Sequence, residues 1–339
     1  MFDAIETPKD KRLEVEALSF DLSVDAFCDL THDVQSPVPI YTGTTQLGPD
    51  GMHWTVGDIL FSKADLGSYA YSRTPNGVQD YGHLIAIERQ MRGAVFGVYE
   101  DDPIEHRPGQ LSVSDLQAMA SGLFLDLHAE EMYLPKELLG IPPDEHVCPP
   151  DIFPETLIGD IVFAEWDTVF AILQRGDDYV SADAIDRLLA YLKIAMGTPP
   201  QREDVRTQAR EALFEHICRY IDAQLEQSDV TASDLLAKFG VSRAGLYRMF
   251  EPHGGVRNYI TMRRTVRATL EICRNVNQRG IVTAAAERWG FSSAPNFNRA
   301  VKRAFGTTPG ALFKPPTRSK TQVSQGSMLI DQFVSTVAS

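Results

Sequence analysis

The stretch GFSSAPNFNRAVKRAFGTTP, Gly290 to Pro309, determines how the second half of the chain is interpreted. A glycine and a short polar run come before a segment in which Phe297, Val301 and Phe305 recur at helical spacing. This pattern predicts a short amphipathic helix with a buried apolar side and an exposed polar side. The exposed side would carry Asn296, Asn298, Arg299, Lys302 and Arg303.

A similar pattern occurs about 50 residues earlier, in TASDLLAKFGVSRAGLYRMF, Thr231 to Phe250. An apolar helix ends at Gly240, and Ser242 can then cap a second helix, which buries Leu246 and Phe250. Two short helices joined by a glycine turn are typical of a helix-turn-helix, whose second helix fits the major groove of DNA. In the later copy, Ser292 or Ser293 would be the cap, so the sequence predicts two such motifs in tandem.

The segment between the motifs, 256–275, predicts one long helix that holds them at a set separation. Two motifs on a rigid spacer would enter successive major grooves, about 34 Å apart, on one face of the duplex. The spacer arginines are expected on its solvated or phosphate-facing side. They are Arg257, Arg263, Arg264 and Arg267.

The charge of the chain is divided unevenly between its two halves. The formal net charge is −14, but residues 1–201 carry −22 and residues 202–320 carry +9. A basic block beside an acidic one favours a polyanion-binding domain attached to a domain of another kind. The acidic half would face away from DNA.

Residues 205–314 resemble the DNA-binding domain of the AraC/XylS family of bacterial transcription regulators. The family signature is met by Gly290-Phe291, by Phe297 to Lys302 and by Phe305 to Pro309, with Val301 in place of the usual phenylalanine. The resemblance implies double-stranded DNA as the partner. It also implies which residues read bases. In the first motif these are Arg243, Ala244, Tyr247 and Arg248, and in the second they are Ala294, Pro295, Asn298 and Arg299.

The second motif departs from the family pattern at Ala294 and Pro295, which cannot donate to a base edge. We therefore expect it to hold mostly the DNA backbone. The remaining polar and basic residues assigned to DNA there are Ser293, Asn296, Lys302 and Arg303.

The first half of the chain is rich in short β-prone runs between turn residues, which favours a β-barrel or sandwich. The predicted strands are 53–61, 68–72, 83–88, 94–98 and 122–127. A proline-rich segment, 140–154, should be irregular, and TLIGDIVFAEWDTVFAIL after it fits a helix or a strand. The family resemblance implies a cupin-like, jelly-roll sensor domain that binds an effector or mediates dimerisation.

The expected fold is α+β and multidomain. A sensor barrel would span residues 1–178, a linker helix 179–201, an all-α domain with both motifs 202–318, and a loosely held tail 319–339. The linker has an apolar stripe at helical spacing, which either packs on its own barrel or forms a dimer surface. The stripe residues assigned to the dimer are Ile185, Leu188, Leu189 and Leu192.

The barrel carries no pattern that indicates catalysis or a metal. Its histidines are isolated, and no cofactor or catalytic residue is assigned. Four scattered cysteines, an N-terminus without a signal sequence, and the lack of a long apolar run favour a cytoplasmic protein that does not enter a membrane. Residues proposed to line a ligand pocket are Trp54, Tyr69, Tyr71 and Arg73.

The sequence therefore predicts a transcription regulator, an activator that would contact RNA polymerase, forming a homodimer and controlled by a small-molecule effector. Two alternatives stay open. The controlling partner could be a protein instead of a small molecule, or the chain could be a cupin-type enzyme with a helical appendage.

Overall fold

The computed structural model of the chain describes residues 12–21, 38–39, 50–73, 78–79, 81–100, 102–197, 205–226, 230–275 and 277–312. The tail, 319–339, lies outside these ranges. The strands are β1 (Arg12–Glu14), β2 (Glu16–Asp21), β3 (Val38–Pro39), β4 (Asp50–Val56), β5 (Ile59–Ser72), β6 (Leu84–Tyr99), β7 (Asp102–His106), β8 (Leu111–Asp115), β9 (Ala120–Pro135) and β10 (Tyr179–Ser181).

The first half is built on one antiparallel sheet. Its strand order is β2-β4-β5-β9-β6-β7, with β3 paired to β5 and β8 paired to β6, while β1 and β10 form a separate two-stranded sheet. The predicted β-rich region is confirmed, but its strands are longer than expected. The runs 83–88 and 94–98 belong to the single strand β6, and the run 53–61 is a hairpin of β4 and β5.

A line of irregularities crosses the three longest strands. The register shifts in β5 between Asp65 and Tyr69 and in β6 between Gln90 and Ala94. Gly93 has a φ of +89°, and a Cβ there would lie 2.4 Å from the carbonyl oxygen of Asp126. An extra residue at such a point reverses which side chains face each side of the sheet.

Because of this reversal, the outer side of the sheet carries two separate apolar patches. One patch includes Ile85, Ile87 and Met132 and packs beneath helices of the first half. The other includes Ala70, Phe96 and Leu123 and packs against helices of the second half. The same strands therefore pack against the helices of both halves of the molecule.

Helices α1 (Leu157–Gln174) and α2 (Ala182–Gly197) cover the first patch. The ambiguous segment after the prolines is α1, which begins where the Thr156 side chain accepts a hydrogen bond from the Gly159 amide at 3.0 Å. Its Trp166 is fully buried and donates to Glu130 at 3.1 Å. The stripe on α2 lies in this same core, so its assignment to a dimer surface is corrected: Ile185, Leu188, Leu189 and Leu192 pack on the chain's own barrel.

The proline-rich segment is irregular, as predicted, and is held in place by a buried ion pair. Lys136 lies in a single 3₁₀ turn, Lys136–Leu139, and its ammonium is 2.9 Å from Asp115 Oδ1. Asp115 also accepts a hydrogen bond from the Val147 amide at 2.9 Å, and Lys136 donates to the Glu145 carbonyl at 2.7 Å. The pair therefore ties the segment to the barrel.

The second half is helical. Its helices are α3 (Val205–Gln224), α4 (Ala232–Phe239), α5 (Arg243–Met249), α6 (Val256–Arg274), α7 (Ile281–Arg288), α8 (Ala294–Phe305) and α9 (Pro309–Leu312), with a 3₁₀ turn at Glu251–His253. Helix α6 contributes to two apolar cores, one with α3, α4 and α5 and one with α7, α8 and α9. No helix in the described ranges is long and apolar enough to cross a bilayer.

Candidate nucleic-acid interface

The first helix-turn-helix consists of α4 and α5, with the turn at the predicted residues. Thr231 and Asp234 form a reciprocal capping box at the start of α4. Gly240 ends α4 in the left-handed conformation, with a φ of 62°, which favours glycine. The Ser242 side chain then accepts a hydrogen bond from the Gly245 amide at 3.1 Å, so both the predicted turn and the predicted cap are confirmed.

Helix α5 buries Leu246 in the core and exposes its other side. Tyr247 is 47% exposed, which is unusual for so large an aromatic side chain. The Arg243 guanidinium lies 5.7 Å from the centre of its ring, a cation–π contact that orients both side chains. The predicted DNA-reading residues Arg243, Ala244, Tyr247 and Arg248 are all exposed together on this helix.

Helix α8 of the second motif buries its apolar side as the spacing predicts. Phe297, Val301 and Phe305 are at most 4% exposed. Its solvent side carries Ser293, Pro295, Asn298, Arg299, Lys302 and Arg303, all of them exposed.

Two residues at the start of α8 differ from the expectation. Ser293 is the N-cap residue, but its side chain makes no capping hydrogen bond. Asn296 is half-buried, donates to Ser292 Oγ at 2.5 Å and accepts from Arg299. Its amide is therefore engaged within the protein, and Arg299 is directed by Asn296.

The arginines of the spacer helix α6 are not all on its solvated side. Arg263 is 1% exposed and forms a bidentate pair with Asp222 of α3 at 2.8 and 2.9 Å. Arg267 also pairs with Asp222, at 2.8 Å, and Arg264 donates to the Gly290 carbonyl at 3.2 Å. The prediction of a solvated or phosphate-facing arginine side is wrong for Arg263, while Arg257 is exposed as expected.

Comparison with known families agrees with this arrangement. Residues 235–314 match the family model described as a helix-turn-helix domain. This region is an AraC-type helix-turn-helix domain. No curated protein sequence matched the chain.

Several solved structures are similar to this chain at low sequence identity. The AraC-like transcriptional activator CuxR is 16% identical, with a TM-score of 0.42, over 74% of this chain and 93% of that one. An apo form of a ToxT variant from Vibrio cholerae is 11% identical, with a TM-score of 0.29, over 75% and 96%. Wild-type ToxT from Vibrio cholerae, bound to an unsaturated fatty acid, is 12% identical, with a TM-score of 0.26, over 70% and 89%.

The AraC-type domain is docked on the sheet of the first half. Arg263 donates to the carbonyl oxygens of Gly97 in β6 and Ile104 in β7, at 2.9 and 3.3 Å. Outside this buried contact, His253 lies 3.5 Å from Glu105. One guanidinium thus joins α3, α6 and two strands of the barrel.

This contact also sets the charge state of Asp222. Burial alone would raise the pKa of its carboxyl, but the hydrogen bonds and charge of Arg263, aided by Arg267, outweigh burial and lower that pKa. Asp222 is therefore ionised at neutral pH, and the docked arrangement contains a satisfied buried ion pair.

A cavity of about 170 Å³ is lined by β5, β6, β7, β8 and β9 of the sheet, and so reaches the strands that Arg263 contacts. Three of the four residues proposed for a ligand pocket line it: Tyr69, Tyr71 and Arg73. Trp54 does not. It is 3% exposed and packs edge-on against Phe170 in the core, so its assignment is corrected.

Sequence reasoning missed the acidic groups of this cavity. Glu88 on β6 and Glu131 on β9 both line it, together with Tyr99 and Tyr133. Glutamates on β-prone runs normally mark the solvated side of a strand, so no sequence signal distinguished these two. In the part of the chain that the structure describes, no three His, Cys, Asp or Glu side chains come together as metal ligands.

Both cavity carboxyls are hard to ionise. Burial, followed by the charge of Glu131, raises the pKa of Glu88 to about 8. Burial also raises the pKa of Glu131. Two facing carboxyls titrate as a coupled pair, and this pair retains a proton at neutral pH.

The raised pKa of Glu88 leads us to expect an unusual dependence of the free energy of unfolding on pH. Its pKa is higher in the folded than in the unfolded protein, so between about pH 5 and 8 only the folded state keeps the proton. The free energy of unfolding should therefore fall as pH rises through this window, by up to about 1.4 kcal/mol per pH unit.

Urea unfolding of the wild type and Glu88→Gln at pH 5, 6, 7 and 8 measures this slope. We expect it to flatten in Glu88→Gln and to persist in Glu137→Gln, which removes an exposed carboxyl outside the cavity. Parallel pH profiles of the wild type and Glu88→Gln would contradict the assignment.

Proposed function

We propose that the protein is a sequence-specific DNA-binding transcription regulator whose N-terminal barrel senses a small-molecule effector. The observation that carries the proposal is the pair of exposed recognition helices, α5 and α8, packed on one spacer helix of an AraC-type domain. A spacer of 19 residues is roughly 28 Å long, near the distance between successive major grooves.

The cavity in the barrel favours a small molecule over a partner protein as the controlling ligand. It is lined by strands that also carry the AraC-type domain, so a ligand inside it acts on the docking surface. We propose residues 1–178 as the sensor, 179–201 as the linker and 202–318 as the DNA-binding region. The regulator acts as a homodimer through a surface other than the buried stripe of α2, and activates by recruiting RNA polymerase.

Fluorescence anisotropy tests the proposal on the full-length protein with its own upstream DNA and a scrambled duplex, at two salt concentrations. We expect tighter binding to the upstream fragment and weaker binding to both at higher salt. Equal affinity for the two duplexes, with and without candidate effectors, would exclude sequence-specific recognition.

The two recognition helices should respond differently to loss of one arginine. Arg248→Ala is expected to weaken specific binding by about 1–3 kcal/mol and to relax sequence preference at one position, because Arg248 meets a base edge. Arg303→Ala should weaken all duplexes alike and reduce the salt slope by about one, because Arg303 contacts phosphate.

The matched control is Arg175→Ala, which removes an exposed arginine paired with Asp177 at the end of α1. It should leave both affinities unchanged. Equal losses on specific and scrambled DNA for Arg248→Ala and Arg303→Ala would contradict the division of roles between the two helices.

A further inference from the structure

Two carboxyls face each other across neighbouring strands in the wall of the barrel cavity. Glu88 of β6 is the direct cross-strand partner of Glu131 of β9. Side chains in this relation have Cβ atoms roughly 4.5–5.5 Å apart, and like charges there are destabilising. Two acids at such a site, facing a cavity, can share a proton or hold a positive group between them.

The described residues do not supply that group. Arg73 also lines the cavity, but its guanidinium donates to the carbonyl oxygens of Asp115 and Ala118. The charges that act most strongly on Glu88 are Glu131 and Asp151, which are both acidic. His106 lines the cavity too, and burial lowers its pKa, which favours the neutral imidazole.

A polar group beside the acid pair also lacks a partner. Ser112 of β8 lies directly opposite Glu88 and lines the cavity. It is 3% exposed, and its hydroxyl makes no hydrogen bond. Buried hydroxyls are normally satisfied, so this one is available to a polar ligand in the cavity.

The walls on either side of the acids are aromatic. Tyr71 stacks on Phe124 with ring centres 4.7 Å apart, and Tyr133 donates to Glu131 Oε1 at 3.0 Å. Rings of this kind attract a cation through their π faces. Acids and tyrosines around one small space form a site of the kind that holds a protonated nitrogen.

We propose that the barrel cavity binds a small organic cation, a protonated amine held between Glu88 and Glu131 with its ring or chain against the tyrosines. The ammonium takes the place of the proton that the acid pair holds, and Ser112 accepts one of its hydrogens. The volume, about 170 Å³, is close to that of a cavity that holds one benzene ring, so the ligand is a single-ring or short-chain amine. This inference rests on the proposed function, since the amine is taken as the effector.

The experiment is thermal unfolding of the full-length protein with three amines: benzylamine, 1,4-diaminobutane and n-butylamine. Benzyl alcohol, 1,4-butanediol and benzoate are the neutral and anionic counterparts. At least one amine should raise Tm in a concentration-dependent way, and its uncharged or anionic counterpart should not.

Glu88→Gln and Glu131→Gln locate the binding. Each should raise the Kd for the amine about tenfold or more, because each removes a charge-assisted contact. Glu137→Gln should leave the Kd unchanged. Calorimetric titration of each variant gives the Kd directly, so a change in stability caused by the substitution does not obscure the result.

Three outcomes overturn the proposal: no amine binds, the alcohols or benzoate bind as well as the amines, or both glutamine variants bind amine like the wild type. DNA anisotropy separates this failure from that of the regulator. Specific DNA binding without amine binding leaves the regulator in place and rejects the ligand class. Amine binding without any specific DNA binding supports the ligand class and rejects the proposed regulator.

Discussion

Arg263→Met is expected to lower the free energy of unfolding by about 3–5 kcal/mol, the usual cost of removing one member of a buried ion pair. Arg263 is 1% exposed and makes two hydrogen bonds to Asp222. The substitution also leaves the carbonyls of Gly97 and Ile104 without their donor. Because Arg267 still faces Asp222, we expect the lower end of this range.

Urea unfolding measures the loss, with Arg257→Met as the control, since Arg257 is an exposed arginine on the same helix. The double variant Asp222→Asn/Arg263→Met should lose less than the sum of the two single variants, because it removes the buried carboxylate together with the buried guanidinium. Arg267 also loses its partner there, but its side chain is partly exposed. If Arg263→Met were no more destabilising than Arg257→Met, Arg263 would not join the two halves.

Lys136→Met is expected to cost a similar amount, about 3–5 kcal/mol. Lys136 and Asp115 are both fully buried, and the ammonium also donates to Gln117 at 3.0 Å and to the Glu145 carbonyl at 2.7 Å. Without Lys136, the Asp115 carboxylate remains in the barrel without its cation. The proline-rich segment that Asp115 and Lys136 hold would loosen with it.

Chemical denaturation with Lys193→Met as the control tests this, since Lys193 is exposed on α2. Restoration of stability in Lys136→Met/Asp115→Asn would identify the uncompensated carboxylate as the cause. A loss in Lys136→Met below about 1 kcal/mol, typical of surface ion pairs, would contradict it. Arg263→Met and Lys136→Met also act in different parts of the molecule. Arg263→Met weakens docking of the AraC-type domain, whereas Lys136→Met weakens the first half itself.

The helix-turn-helix motifs could be predicted because their signals are local. Gly240 supplies a left-handed turn, Ser242 caps the next helix, and Phe297, Val301 and Phe305 recur at helical spacing. Each of these depends on residues within one or two turns of one another. Helix α6 followed from its periodicity for the same reason.

The burial of Arg263 on α6 could not be predicted, because it depends on a residue 41 positions away in the sequence. Asp222 draws Arg263 into the interface, and the carbonyls of Gly97 and Ile104 complete its coordination. A periodic pattern places a side chain on one face of a helix, but it does not indicate which element covers that face.

The stripe on α2 shows the same limit. Its apolar spacing predicted a buried face, and both the chain's own barrel and a second subunit would have buried it equally well. The structure places Leu188 and Leu192 at 0% exposure in the barrel core.

The order of the halves, the two helix-turn-helix motifs and the acidic charge of the first half follow from the amino-acid sequence, since composition and short-range spacing dictate them. Tertiary structure alone brings Glu88 opposite Glu131 and docks Arg263 on the sheet. Both depend on which face of the sheet each side chain reaches, and the irregularities between Gln90 and Ala94 reverse that facing partway along β6. A shift of one residue moves every following side chain to the other face of a sheet, so distant pairing decides which residues reach the cavity.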